Sequence, residues 1–223
     1  MDRWACYSAH RLVSKKKTIT ACERDPWARA AFQVRIAERY ADVFVIVDEC
    51  GTNLDLTPRY ARAPHGERAY GSVPRNTPPN TTLIGSLSLR GMGPAMLVQG
   101  GTDTHTFEAY IEHVLGPSLQ PGQVVLIDNL SAHKSPRVSR LIAARGCEVW
   151  YLPTYSPDLS PIELAFAKLK DHLRRVGART AAALEQAVAD ALPHITAADA
   201  KAFFTHCGYW VLSAMAQCFC SPL

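Results

Sequence analysis

Three acidic residues, Asp48, Asp128 and Glu163, stand where three different elements begin or end. Asp48 closes the apolar run 43–47, Asp128 closes the apolar run 124–127, and Glu163 follows Ser160-Pro161-Ile162 at a helix start. Carboxylates are hard oxygen donors, and a set drawn from separate elements suits Mg²⁺ or Mn²⁺. Two such ions about 3.5–4 Å apart are the apparatus of phosphodiester cleavage, because one activates the attacking oxygen while the other stabilises the leaving one. One carboxylate shared between the ions plus one on each is a sufficient set. Asp48 is the candidate bridge, with Asp128 and Glu163 on separate metals.

Each acid also has an ordinary reading. An Asp at a strand end is often a solvated loop residue. Ser160-Pro161-Ile162-Glu163 fits a capping box, in which the Glu bonds back to the N-cap backbone. Glu49 is a further candidate acid, although strand alternation sends it to the face opposite Asp48.

The basic residues are placed to meet a polyanion. On the helix opened by Pro161, Ile162, Phe166, Leu169 and Leu173 make a core-facing stripe. Glu163, Ala167, Lys170 and Arg174 share the neighbouring face, where a small Ala167 lets a backbone approach. Lys170 and Arg174 are therefore candidate phosphate contacts. Arg59, Arg62, Arg68 and Arg75 lie with His65, Tyr60 and Tyr70 in one long Pro-rich excursion, 58–79. Arginine forks suit phosphates and tyrosines can stack on unpaired bases, so this segment reads as a DNA-contacting arm. His133 and Lys134, just past Asp128, complete the candidate DNA set, as orienters of water or phosphate or simply as a polar helix entry.

The elements that must hold these residues follow from periodicity. Asp25-Pro26 is an N-cap with a first-turn proline. Trp27, Ala30, Ala31, Val34, Ala37 and Tyr40 recur after it at helical spacing. Strands are expected at 43–48, 53–57, 81–89, 95–98, 124–127 and 147–152, with a hairpin turn at 90–94 whose glycines lack the signature of a phosphate loop. A short hairpin could also lie within 58–79. Helices are expected from near Thr104, over 135–145 with a stop at Gly146, from Pro161, and over 181–192 and 197–206. This is an α/β sandwich, in which ligands bind beyond the carboxyl ends of interior strands. The organisation expected is a basic segment and connecting helix at 1–40, a catalytic domain at 41–210 and a tail at 211–223.

Composition sets the outer bounds. The 223 residues are 48% hydrophobic and 20% charged, with a net charge of +4, ordinary for a soluble globular chain and compatible with a polyanionic partner. No apolar run approaches the roughly 20 residues that span a bilayer, and no signal peptide is recognisable. The seven cysteines are scattered, with no C-x-x-C pair, and read as reduced thiols. His206, Cys207, Cys218 and Cys220 match no common zinc spacing. A cytoplasmic protein follows, with the run Lys15-Lys16-Lys17 as a solvated surface.

Read together, the flanks of the three acids carry a resemblance. Val47-Asp48-Glu49, Ile127-Asp128-Asn129-Leu130-Ser131-Ala132-His133-Lys134, and Tyr155-Ser156-Pro157-Asp158-Leu159-Ser160-Pro161-Ile162-Glu163 resemble the three signature blocks of bacterial mariner-like transposases of the insertion-sequence 630 group. The 34 residues between Asp128 and Glu163 are a typical spacing there. Arg59-Tyr60-Ala61-Arg62-Ala63-Pro64 and His206-Cys207-Gly208-Tyr209 also match, so the resemblance runs over about residues 10–210. Lys170 matches a basic residue seven beyond the Glu in related enzymes. Two positions depart: Ser160 stands where the group usually has Asn, and Cys50 replaces a small hydroxyl residue.

The resemblance implies a ribonuclease-H-like fold and a DNA-cutting, strand-transferring enzyme whose catalytic and metal-binding residues are Asp48, Asp128 and Glu163, served by two Mg²⁺ or Mn²⁺ ions. It implies DNA partners, both transposon ends and target, a homodimer, and residence in a bacterial cytoplasm, at the nucleoid when bound to DNA. Fewer than 50 residues precede Asp48, too few for the group's helix-turn-helix module together with the connecting helix. End recognition is therefore expected from a separate helix-turn-helix subunit encoded upstream, or else is lost. The competing expectations are an inactive fragment that binds DNA or dimerises with an intact transposase, and a ribonuclease-H-like nuclease without strand transfer.

Overall fold

The computed structural model describes residues 21–76, 79–130 and 133–212. The Lys15–Lys17 run, nearly all of the expected 211–223 tail, and Cys218 and Cys220 lie outside them.

Five strands make one mixed sheet: β1 (Phe44–Thr52), β2 (Thr81–Ser88), β3 (Gly91–Gln99), β4 (Val124–Ile127) and β5 (Glu148–Tyr151), in the spatial order β3-β2-β1-β4-β5. β2 and β3 are antiparallel additions to one side of β1, whereas β4 and β5 run parallel to it on the other. The apolar runs of β1 and β4 are buried residue after residue because a core lies on each face of the sheet. Phe44, Ile46, Leu126 and Trp150 face one core, and Val45, Val47, Val125 and Ile127 face the other.

Helix α1 (Pro26–Ala37) precedes the sheet. The second core is closed by α2 (Thr104–Ala109), which runs on as a π-helical turn over Tyr110–Leu115, and by α3 (Pro136–Ala143). The first is closed by α4 (Pro161–Val176), α5 (Ala181–Ala191) and α6 (Ala197–His206). The stripe expected on α4 is the buried one: Ile162, Phe166, Leu169 and Leu173 are all inside. Burial of four such side chains contributes on the order of 10 kcal/mol before chain entropy is set against it. Gly177 ends α4 in the left-handed conformation, as Gly146 does after α3.

Several sequence expectations are corrected. β1 does not end at Asp48 but continues to Thr52 along β2, so no separate strand forms at 53–57. Only its parallel pairing with β4 stops at Val47 opposite Ile127, which leaves Asp48 unpaired on that side. Gly91, Gly93 and Pro94 lie within β3 and not in the turn, which is formed by Leu89 and Arg90. A proline is tolerated there because β3 is an edge strand. The described part of 58–79 contains neither strand nor helix. The residues just ahead of it are held by Arg179, which donates to the carbonyls of Leu54 and Leu56 at 2.9 and 3.0 Å.

On α1 the stripe read from the sequence is the wrong face. Phe32 and Ile36 are buried, whereas Trp27 is 85% and Val34 62% exposed. The helix is apolar on both sides, so periodicity alone could not choose between them.

Candidate active site

The middle of β1, the loop after β4 and the start of α4 bring the three carboxylates to one cleft of about 310 Å³. Asp48, Asp128 and Glu163 line it together with Asn129, Leu130, Thr154, Tyr155 and Ser160. Asp48 is an even-numbered residue of β1, on the same face as Ile46 and Cys50, and so it is directed toward the α4 side of the sheet. Glu163 is an exposed residue in the first turn of α4, and Asp128 begins the loop after β4.

The capping-box reading of Glu163 does not hold. Ser160 is the N-cap of α4 but makes no side-chain capping bond, and its buried Oγ has no hydrogen-bond partner among the described residues. The Glu163 carboxylate is therefore free of the cap and available to the cleft.

The electrostatics are those of crowded acids. Burial raises the Asp48 carboxyl from its ordinary 3.8 to about 7, with the charges of Glu163 and Asp128 pushing the same way. The Glu49 backbone N–H, donating to Asp48 Oδ1 at 2.8 Å, and the nearby His133 oppose the rise. Three hard, mutually repelling carboxylates around one cleft are a donor set that fits a divalent cation such as Mg²⁺ or Mn²⁺. Among the described residues no three His, Cys, Asp or Glu side chains close on a common point, so the carboxylates share the cleft without already forming a coordination shell.

His133 proves to be an internal residue. It is 1% exposed, so it does not meet DNA at the surface as its place in the candidate set suggested. Its Nδ1 hydrogen-bonds Asp128 Oδ1 in a very short contact, and its Nε2 lies 3.0 Å from Glu49 Oε1. Phe107 stacks on the ring at 4.0 Å. Burial alone would lower the His133 pKa, but the hydrogen bonds to Asp128 and Glu49 outweigh it and raise it to about 9. Both ring nitrogens are then donors. In the sequence Glu49 reads only as a rival to Asp48. Its link to Asp128 joins residues far apart in the chain and leaves no local signal.

The basic candidates divide into two groups. Arg59, Lys170 and Arg174 come together with Glu163, Phe166 and Ala167 around a second groove, which meets the acidic cleft at Glu163. Lys170 also lies against Cys50, whose thiol burial pushes up to about 11. Arg62, Arg68 and Arg75 are exposed on the 58–79 excursion with Tyr60 and Tyr70, and Lys134 is exposed beside the cleft loop. None of these four basic residues lines either cavity.

Two features of the loops have no sequence signal. Asn129 Nδ2 donates to Thr154 Oγ1 at 3.0 Å and ties the loop after β4 to the loop after β5. Asp158, just before α4, accepts from Arg24 at 2.7 Å and from both terminal nitrogens of Arg29, at 3.1 and 2.6 Å. The segment ahead of the sheet is thereby fastened to the loop that leads into α4, the helix of Glu163.

Known proteins resemble this chain in sequence and in fold. A family model described as DDE superfamily endonuclease matches residues 43–185. The transposable element Tcb1 transposase of Caenorhabditis briggsae is 31% identical over 101 residues, covering 44% of this chain and 37% of that protein. The chain thus matches under half the length of that curated relative. Among solved structures, a mariner Mos1 paired end complex with Mg superposes with a TM-score of 0.67 at 12% identity, covering 89% of this chain and 65% of that one. A pre-cleavage Mos1 transpososome gives 0.63 at 13% identity, covering 91% and 69%. The Mos1 strand transfer complex gives 0.65 at 13% identity, covering 89% and 62%. At such identities these likenesses show the fold, a ribonuclease-H-like mixed sheet flanked by helices.

Proposed function

The chain belongs to the DDE superfamily of endonucleases, and from that premise we propose that it is the catalytic part of a transposase that cuts DNA at transposon ends and transfers the freed strand into target DNA. The observation that carries the reading is the meeting of three carboxylates, from a strand, a strand-end loop and a helix start, around one cleft. We take 41–210 as the catalytic unit. The 34-residue interval between Asp128 and Glu163, with the flanking blocks, favours the insertion-sequence 630 group.

Asp48, Asp128 and Glu163 would hold the divalent ions, Mg²⁺ or Mn²⁺. When bound, two ions supply an activated oxygen nucleophile and charge stabilisation on the leaving oxygen. The remaining work falls to the chain. Arg59, Lys170 and Arg174 line a groove that meets the acids at Glu163, where phosphates running toward the site can be held. Ala167 keeps the floor of that groove low. Arg62, Arg68, Arg75 and Lys134 add charge outside the cleft, and Tyr60 and Tyr70 offer stacking faces on the arm. A homodimer, and a separate helix-turn-helix subunit that recognises the ends, complete the proposal. Residence in a bacterial cytoplasm belongs to it as well; no described helix is long and apolar enough to cross a membrane.

The test uses the full chain with supercoiled plasmid and a duplex bearing a free 3′-hydroxyl, taken from the repeats that flank its coding sequence, in Mg²⁺ or Mn²⁺. Joined products that disappear in Asp128→Asn support strand transfer by these acids. Cutting without joining favours a nuclease of the same fold, and cutting retained in Asp128→Asn overturns the assignment of the acids.

A further inference from the structure

Asp128 needs an anchor that its own segment does not supply. The ladder between β4 and β5 ends at Ile127, and Asp128 opens the connection that leads to α3. Its Oδ1 accepts from the Leu130 backbone N–H at 3.2 Å and from His133. Oδ2 has no partner among the described residues, which leaves it for the cleft. His133 is in turn gripped on two further sides, by the Phe107 ring and by Glu49. Glu49 sits inside the β1–β2 ladder, opposite Ile84, and is as firmly placed as any residue of the sheet. It does not line the cleft. Strand alternation explains how β1 serves both functions: Asp48 faces the cleft, and the next residue faces the α2 side, where Phe107 and His133 lie.

We propose that Glu49 is a positioning residue for the metal site: acting through His133, it holds the Asp128 carboxylate in the orientation that a divalent cation requires. The proposal rests on the reading of Asp48, Asp128 and Glu163 as cation ligands. Partners that orient a ligand from behind typically matter 10–100-fold in metal affinity. Loss of Glu49 frees the imidazole to turn about its stack, and the loop carrying Asp128 loses its tie to the sheet. A glutamine at this position keeps an amide oxygen that can accept from Nε2–H.

The experiment is Mn²⁺ binding to the full chain, followed by electron paramagnetic resonance of the free ion, for wild type, Glu49→Ala, Glu49→Gln and Asp128→Asn. The same proteins are assayed for plasmid nicking over a range of Mn²⁺ concentrations. Glu49→Ala should weaken Mn²⁺ binding by about 10–100-fold and lower the melting temperature in EDTA, because the buried His133 Nε2–H loses its partner, with the rate at saturating Mn²⁺ little changed. Glu49→Gln should restore affinity to within about threefold of wild type, the limit set by keeping one neutral hydrogen bond. Glu49→Ala binding Mn²⁺ as well as wild type, while Asp128→Asn does not bind it, overturns the proposal and leaves the ligand reading standing. A saturating rate that falls in step with the melting temperature also overturns it, since that is the mark of a purely structural role. Wild type that binds no Mn²⁺ removes the ligand reading, and the proposal with it.

Discussion

Replacing Asp48 with asparagine should make the metal-free protein more stable. The Asp48 carboxyl, raised from 3.8 to about 7 by burial and by its acidic neighbours, resists ionisation in the folded state. A shift of about three units corresponds to about 4 kcal/mol if taken whole. Asp48 is only partly buried, so solvent screening cuts this to roughly 2 kcal/mol. The sign follows from proton linkage. The folded carboxyl binds its proton more tightly than the unfolded one, so wild type loses stability as pH rises from about 4 to about 7. The neutral amide of Asp48→Asn has no such loss, and its oxygen can still accept from the Glu49 N–H. The advantage of the variant is therefore absent below pH 4, grows through the window and is constant above it. For a domain of this size, about 2 kcal/mol raises the melting temperature by roughly 4–8 °C. Thermal unfolding of both proteins in EDTA at pH 6 and pH 8, repeated with excess Mg²⁺, measures it. Divalent ions should stabilise wild type and not the variant, so that metal narrows or reverses the gap. A variant no more stable than wild type in EDTA at pH 8 would refute the reasoning, because it would mean that the three acids do not strain the fold.

Three further outcomes are expected. Removing Lys170, Arg59 or Arg174 as Ala should each flatten the log–log salt dependence of DNA binding by about one, with the melting temperature unchanged; an unaltered slope excludes that side chain as a phosphate contact. Arg29→Gln and Asp158→Asn, combined in a double-mutant cycle read by urea unfolding, should show a coupling of no more than about 1 kcal/mol, since Asp158 is 52% exposed. Gly91→Ala should destabilise by about 1–3 kcal/mol with no change in the denaturant slope, because Gly91 has φ +107° and an added Cβ would come within 2.6 Å of the Ile195 carbonyl oxygen; a neutral result would show that β3 can shift away from α6.

The elements and the identity of the acids are largely local matters, and they are legible for that reason. Continuous apolar runs at 44–47 and 124–127 require a sheet covered on both faces, and the i, i+4, i+7 stripe from Ile162 to Leu173 specifies which face of α4 is buried. The residues flanking Asp48, Asp128 and Glu163 point to a transposase, which agrees with the broader DDE superfamily endonuclease matched over 43–185. Where one segment offers two equivalent choices, local pattern is silent. The face of α1 that packs was decided by Phe32 and Ile36 meeting the core, and the capping-box reading of Glu163 was removed by a capping bond that Ser160 does not make.

By itself, then, the sequence determined most of the strands and helices and singled out the three acids as candidates, because each is set by spacing within a few residues. Only the tertiary structure decided what lies behind those acids. Glu49 and His133 are 84 residues apart, and Arg29 and Asp158 are 129 apart. Whether such pairs touch depends on how the chain closes over the sheet. Burial of His133 between Phe107, Glu49 and Asp128 turns what reads as a surface contact into an internal support. Hydrogen bonds and desolvation act over a few ångströms of space, and separation along the chain carries no record of them.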